Sequence, residues 1–130
     1  MNSIIDLIPK DKFDDSSVDA LKTIEIKKAE PILNLLLEWI KDINWPIAQV
    51  LINDVLPRFH AELVPHIQVV FNSNDDIWKC WTLCLIKRFP VETVKKLSPD
   101  IKRIAANPTV GEVVEEVNVY AEEVIQLFAL

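Results

Sequence analysis

The side chains able to do chemistry are few, and their spacing matches no known catalytic or metal motif. The soft metal ligands are His60, His66, Cys80 and Cys84. Cys80 and Cys84 are four residues apart, so on a helix they share one face with nearly parallel Cβ vectors, a geometry that disfavours a disulfide. Their spacing fits no zinc signature, and thiols are common in protein cores. We therefore expect no metal and no cofactor.

Paired carboxylates are the next candidates for chemistry, and they occur at Asp14/Asp15, Asp75/Asp76, Glu115/Glu116 and Glu122/Glu123. Acid–base catalysis needs a carboxylate in a dry cleft, whereas a pair at a predicted helix start favours capping. The serines fall at predicted turns or caps. A single glycine, Gly111, excludes glycine-rich phosphate loops and the nucleophile elbow. The sequence leaves catalysis undecided and favours its absence.

A 34-residue period sets the elements that must position these side chains. Pro31, Pro65 and Pro99 are evenly spaced, and each opens an apolar segment. Such a period is typical of stacked helical repeats, and the scarcity of glycine disfavours hairpin-rich sheets. The residues five after each proline (Leu36, Val70, Ile104) and twenty after it (Leu51, Leu85, Val119) are expected to be equivalent apolar positions.

The apolar periodicity predicts two helices for each repeat and one helix before the first repeat. Ser98 is expected to cap the first helix of the third repeat, and possible single turns are expected at 58–63 and 91–96. The predicted helices span 15–26, 30–41, 46–56, 65–71, 76–88, 99–107 and 111–128.

Four tryptophans lie around the two turns inside the first and second repeats, at Trp39, Trp45, Trp78 and Trp81. Trp45 and Trp78 occupy near-equivalent repeat positions, so we expect them to stack along one edge. Tryptophan packs in cores with its N–H bonded to a carbonyl, and it also anchors partner proteins. Both interpretations stay open from the sequence.

Length and charge bound the class of protein. The 130 residues suit one domain, spanning 1–130, and the charge of −6 with no basic run disfavours nucleic-acid binding. The most apolar window, 32–43, is too short to cross a bilayer, which needs about 20 residues. The start of the chain lacks the features of a signal peptide, and two cysteines fit a reducing compartment. We expect a cytoplasmic protein with no membrane partner.

Several segments resemble the bacterial domain-of-unknown-function 5071 family across nearly the whole chain. These are Leu7–Lys12, Asp42–Pro46, Leu63–Ile67, Asp76–Trp81 and Arg103–Thr109, of which the Asn-Trp-Pro turn is the most specific. The resemblance implies a HEAT-like helical fold without an established activity. It directs attention to Asp42, Asn44, Trp45, Asp76, Trp78, Arg103, Asn107 and Glu112.

The predicted fold is all-α, a short right-handed α-solenoid of about three HEAT-like helix pairs with an N-terminal capping helix. Second helices usually line the concave side of a solenoid. They would present Gln49, Asn53, Lys79, Thr82, Glu112 and Glu116. A polar cluster linking Asp42 or Asp76 to Arg103 across repeats is also expected.

The leading hypothesis is a protein-interaction module whose acidic end, between Glu112 and Glu123, binds a basic protein; an immunity or antitoxin-like inhibitor is a specific form of it. The identity of the partner and the oligomeric state are not indicated. The partner-binding candidates are Trp45, Trp78, Asp42, Asn44, Asp76, Arg103, Asn107, Glu112, Glu115 and Glu116.

The alternative is an enzyme that acts on nucleic acid, such as a base-excising glycosylase of HEAT-like fold. Trp45, Trp78 and Asp76 would supply its aromatic and acidic side chains. Both the negative net charge and the small number of repeats oppose this hypothesis, because a groove that grips a duplex must neutralise phosphates.

Overall fold

The computed structural model describes residues 3–130, which form helices joined by turns, with no strand among them. The all-α prediction is confirmed. Short stretches with 3₁₀ geometry cover Ile4–Leu7, Glu30–Ile32 and Leu56–Phe59, and a π-helical stretch covers Leu51–Val55. The α-helices are α1 (Val18–Thr23), α2 (Ile26–Ala29), α3 (Leu33–Glu38), α4 (Pro46–Val50), α5 (His60–Phe71), α6 (Asp76–Ile86), α7 (Val91–Lys96), α8 (Ser98–Ala106), α9 (Val110–Val114) and α10 (Val117–Phe128).

The N-terminal helix predicted over 15–26 is shorter than expected. It is replaced by α1 and the single turn α2, because Ile24 and Glu25 between them have extended backbone angles. The break lets both pieces bury apolar side chains, namely Val18 and Leu21 from α1 and Ala29 from α2.

The repeated prolines do not all mark helix starts. Pro31 lies in the 3₁₀ turn before α3, and Pro99 lies in the first turn of α8, where its missing N–H has no helical partner. Pro65 instead lies inside α5, which begins at His60, so the predicted start at 65 is wrong. Pro65 is on the exposed side, as is Ala61, whose carbonyl loses its helical donor and can bond to water instead.

The helix predicted to end near Pro57 continues past it. After α4, the chain stays helical through the π and 3₁₀ stretches and enters α5 directly. This run buries an unbroken apolar side, and Pro57 lies at the start of the 3₁₀ stretch. The buried residues of the run are Leu51, Ile52, Val55, Leu56 and Phe59.

The last predicted helix, 111–128, is broken into α9 and α10. Glu116 between them has a left-handed backbone with φ of 60°. The break changes the phase of α10, so Val119 is exposed whereas Leu51 and Leu85 are buried, and the expected equivalence fails at that position. Ser98 is also not a cap, since it is the first residue of α8 and no side chain caps that helix.

The helices enclose one continuous cluster of buried apolar side chains, which runs from Val18 to Val124. Helix α10 packs against α6 and α8, and α5 packs against α3, α6 and α7. Within the described part of the chain, no helix has the length and apolar content that crossing a membrane requires.

Candidate functional site

Charged side chains from α6, α8 and α9 meet in one ion cluster, formed by Asp76, Lys79, Arg103 and Glu112. The ammonium of Lys79 lies 2.9 Å from Asp76 Oδ1 and 2.9 Å from Glu112 Oε2. Arg103 donates to both oxygens of Glu112 and also to the carbonyl of Phe71, at 3.3 Å. Lys79 and Glu112 are buried. The cluster therefore ties the C-terminal helices to α6 and to the end of α5.

The carboxylate of Glu112 is fully hydrogen-bonded. Beyond Lys79 and Arg103, its Oε1 accepts the backbone N–H of Thr109 at 2.8 Å, while Thr109 Oγ1 accepts the N–H of Glu112 at 3.1 Å. Burial alone would raise the pKa of Glu112, but the hydrogen bonds from Arg103, Thr109 and Lys79 outweigh it and lower the pKa to about 2. At neutral pH this carboxylate is ionised and has no free lone pair for proton transfer.

Gly111, the sole glycine of the chain, makes room for Asp76. A Cβ at position 111 would lie 2.3 Å from Asp76 Oδ2, which is far inside van der Waals contact. The glycine therefore permits the close approach of α9 to the first turn of α6.

A polar groove of about 650 Å³ opens beside the ion cluster. Its walls include Asn72, Asn74 and Asn107, together with the cluster members Asp76 and Arg103. The two cations and two anions of the cluster are paired with each other, so this groove offers amide hydrogen bonds to a polar group and no unpaired charge.

The sequence prediction missed the roles of Lys79 and Gly111. Lys79, Thr82 and Glu112 are predicted on a concave surface, yet all three are buried. Lys79 and Thr82 are buried because α6 is covered by α5 and α10. Glu112 is buried because it points from α9 toward Lys79 and Arg103. One available signal was the Thr109-to-Glu112 spacing, which is that of a capping box. The other was the opposite charge of Asp76 and Lys79 at a helical spacing of three.

The tryptophans form separate contacts. Trp45 packs edge-to-face on Trp39 with ring centres 5.5 Å apart, so the expected stack of Trp45 on Trp78 is not formed. Trp78 donates from Nε1 to the carbonyl of Leu37 at 3.0 Å, and the ammonium of Lys41 lies 4.6 Å from its ring centre. All are half-buried, which makes packing their first role.

A family model described as domain of unknown function (DUF5071) matches residues 7–125. The chain belongs to this family. The match includes every member of the ion cluster and all four tryptophans. A comparison with curated proteins finds no match.

Among the positions that the likeness to DUF5071 proteins singles out, Asp42 and Asn44 form a local turn. Asp42 Oδ1 accepts the backbone N–H of Asn44 at 2.8 Å, and the side chain of Asn44 is exposed. Asn107 ends α8, where its N–H donates to the carbonyl of Arg103 at 2.7 Å. Of the two expected links to Arg103, the one from Asp76 is present, through Lys79 and Glu112.

The thiols of this DUF5071 protein are poor nucleophiles. Burial, followed by the neighbouring Cys84, raises the pKa of Cys80 to about 12, and burial also raises the pKa of Cys84. The Cys80 thiol donates to the carbonyl of Glu115 with an S–O distance of 3.5 Å. Across residues 3–130, His, Cys, Asp and Glu side chains form no group of three or more that could hold a metal ion.

The glutamates near the C-terminus lie on the surface. Glu115, Glu116, Glu122 and Glu123 are all exposed, and Glu123 also lies 2.7 Å from the ammonium of Lys87. Glu115 also lines a shallow depression with Asp75, Asp76 and Ile77 at the start of α6. This face of the molecule presents several carboxylates to solvent.

Proposed function

We propose that this chain is a non-catalytic, cytoplasmic protein-interaction module, built as a short right-handed HEAT-like α-solenoid, and that it binds a basic protein partner. The observation that carries the proposal is the contrast between two sets of carboxylates. Glu112 is buried and neutralised by Lys79 and Arg103, whereas Glu115 and Glu116, three and four residues later, are exposed. The exposed group is free to attract a cationic surface.

The repeat arrangement is supported by the span of the long-range hydrogen bonds. Within residues 3–130, every side-chain hydrogen bond between residues more than eleven apart spans 32 to 41 residues, close to the 34-residue period. Contacts restricted to the neighbouring unit are the property expected of a stacked repeat protein. Pro31 and Pro65, one period apart, also line one groove.

We restrict the proposed binding residues to acidic side chains that a partner can reach. Glu112 and Arg103 are used inside the protein, and Asp76 is paired with Lys79. Glu115, Glu116 and Glu122 are therefore the residues we propose for partner binding, and Trp45 and Trp78 serve the packing of the turns.

The test is affinity capture from the native cytoplasm with the tagged wild type and with the triple variant Glu115→Lys/Glu116→Lys/Glu122→Lys. We expect one stoichiometric protein to be captured by the wild type and lost by the variant. The matched control is Glu25→Lys/Glu30→Lys/Glu92→Lys, which changes net charge equally at exposed glutamates elsewhere. Retention of the same protein by the first triple variant, or its loss from the control, would contradict the proposal.

An inhibitory role is the specific form of this proposal, because a small acidic domain can cover a basic active surface. Co-expression of the captured protein with the wild type should suppress its toxicity or activity, and co-expression with the first triple variant should not. Binding without suppression would leave an adaptor rather than an inhibitor.

A further inference from the structure

Helix α9 buries its charged side chain and exposes its apolar ones. The residue it buries is the charged Glu112, while its valines face solvent, with 83% of Val110, 52% of Val113 and 70% of Val114 exposed. A surface helix of a soluble domain normally turns its apolar side to the core and its charges outward. The reversal leaves an apolar patch on the surface.

The geometry of a helix places these valines together. Successive residues turn by about 100°, so Val110 and Val114 share one side, roughly opposite to Glu112. The helix is held to the body by polar contacts instead of apolar packing, through the bonds of Glu112 to Lys79 and Arg103. The valines are therefore not needed to attach α9, and they remain available for contact.

Carboxylates border this patch on its C-terminal side. Glu115 and Glu116 follow Val114 directly and are exposed. Glu115 also shares its depression with the half-buried Asp75 and the exposed side chain of Ile77. An apolar centre beside an acidic rim is the arrangement of a specific protein-binding surface.

We infer that Val110 and Val114, with Glu115 and Glu116, form the docking surface for a partner segment that carries apolar side chains flanked by lysine or arginine. This inference rests on the proposed function and names the chemistry of the partner. Charge decides the occupant: a second copy of the chain docked through the same surface would bring Glu115 and Glu116 of both copies together, and their repulsion opposes self-association.

The probes are three short peptides. Two are amphipathic helices, one of leucine and lysine and one of leucine and glutamate, and the third contains only serine and lysine and so has no apolar face. Isothermal titration calorimetry would give the affinity of each peptide, and changes in the NMR chemical shifts of the backbone amides would locate its binding site. We expect the leucine–lysine peptide to bind most tightly, with shifts centred on 110–116, and the leucine–glutamate peptide to bind least. Val110→Ser/Val114→Ser should lower the affinity for the leucine–lysine peptide by about tenfold, because apolar contact is lost.

Val69→Ser is the matched control, because Val69 on α5 is 69% exposed, like Val114, and lies outside the surface. It should leave all affinities unchanged.

Equal binding of both lysine peptides, unaffected by Val110→Ser/Val114→Ser but lost in Glu115→Gln/Glu116→Gln, would overturn this inference and leave the acidic face as a binding surface. Failure of both lysine peptides to bind would also overturn the inference. The proposed function is tested separately, by affinity capture with the wild type and with Glu115→Lys/Glu116→Lys/Glu122→Lys. A wild-type dimer that Val110→Ser/Val114→Ser dissociates would assign the surface to self-association instead.

Discussion

The stability of the ion cluster depends on Glu112 more than on any other carboxylate, because it contacts both cationic groups of the cluster. Of these two cations only Lys79 is buried, whereas the side chain of Arg103 is partly exposed. We expect Glu112→Gln to lower the free energy of unfolding at pH 7 by about 3 kcal/mol, since it leaves the buried Lys79 with Asp76 alone. Urea unfolding followed by tryptophan fluorescence measures this change. Glu92→Gln, on the exposed surface of α7, is the control and should change stability little.

The same carboxylate predicts acid sensitivity. The pKa of Glu112 is about 2 in the folded protein and 4.5 ordinarily, so its stabilisation is fully present above pH 4.5 and is lost as the pH falls toward 2. The difference corresponds to about 3 kcal/mol. Unfolding curves from pH 7 downward should fall less steeply for Glu112→Gln than for the wild type. Parallel acid branches for the two proteins would contradict the assigned role.

We expect Gly111→Ala to destabilise the protein, although this substitution in a helix usually stabilises. In a helix, replacing glycine by alanine ordinarily stabilises by about 0.5–1 kcal/mol. Here the added Cβ meets the carboxylate of Asp76 at 2.3 Å, so we expect a loss of about 1–3 kcal/mol. A double-mutant cycle with Asp76→Ala measures the cause, because the loss should shrink when the carboxylate is absent. Equal losses in both backgrounds would point to a different origin.

At the scale of helices, periodicity predicts most elements and misses their breaks. The apolar pattern locates α3, α4, α6 and α8 near their observed positions, because burial of one face selects the helix. It misses the split between α9 and α10, where no glycine or proline signals it. Glu112 and Val117 are five residues apart, so a straight helix would point them about 140° apart. Both are buried, and the break between α9 and α10 turns both toward the protein interior.

The break itself predicts a stabilising substitution. Glu116 has φ of 60°, a conformation that costs an L-residue about 1–2 kcal/mol and that glycine adopts freely. We expect Glu116→Gly to stabilise the protein by about 0.5–1 kcal/mol, measured by thermal unfolding. Glu122→Gly, inside α10, should instead destabilise by about 1 kcal/mol, because glycine weakens a helix interior. Equal destabilisation by both variants would show that the left-handed backbone carries no strain.

At the scale of the whole molecule, the 34-residue period of the sequence matches the span of the long-range hydrogen bonds, although the prolines that mark it do not define equivalent helix starts. The apolar positions fix which neighbours stack, and Leu36, Val70 and Ile104 are all buried as expected. The ionic partners are different. Lys79 and Glu112 pair 33 residues apart, and nothing local in either segment indicates that both are buried. Only the completed packing of α6, α8 and α9 produces that site.

The span of the hydrogen bonds predicts that a destabilising substitution loosens only the neighbouring helices. Arg58 donates to the carbonyls of Leu21 at 2.7 Å and Ile24 at 2.9 Å, which ties α1 to the 3₁₀ stretch before α5. In native-state hydrogen exchange, we expect Arg58→Ala to speed exchange in α1 and leave α8 and α10 unchanged, because the repeat arrangement that we propose would restrict contacts to the next unit. Glu112→Gln should instead speed exchange in α9 and at the start of α6, and leave exchange in α1 unchanged. If either variant raised exchange equally along the chain, the protein would open as one cooperative unit, and the stacked-repeat description would fail with it.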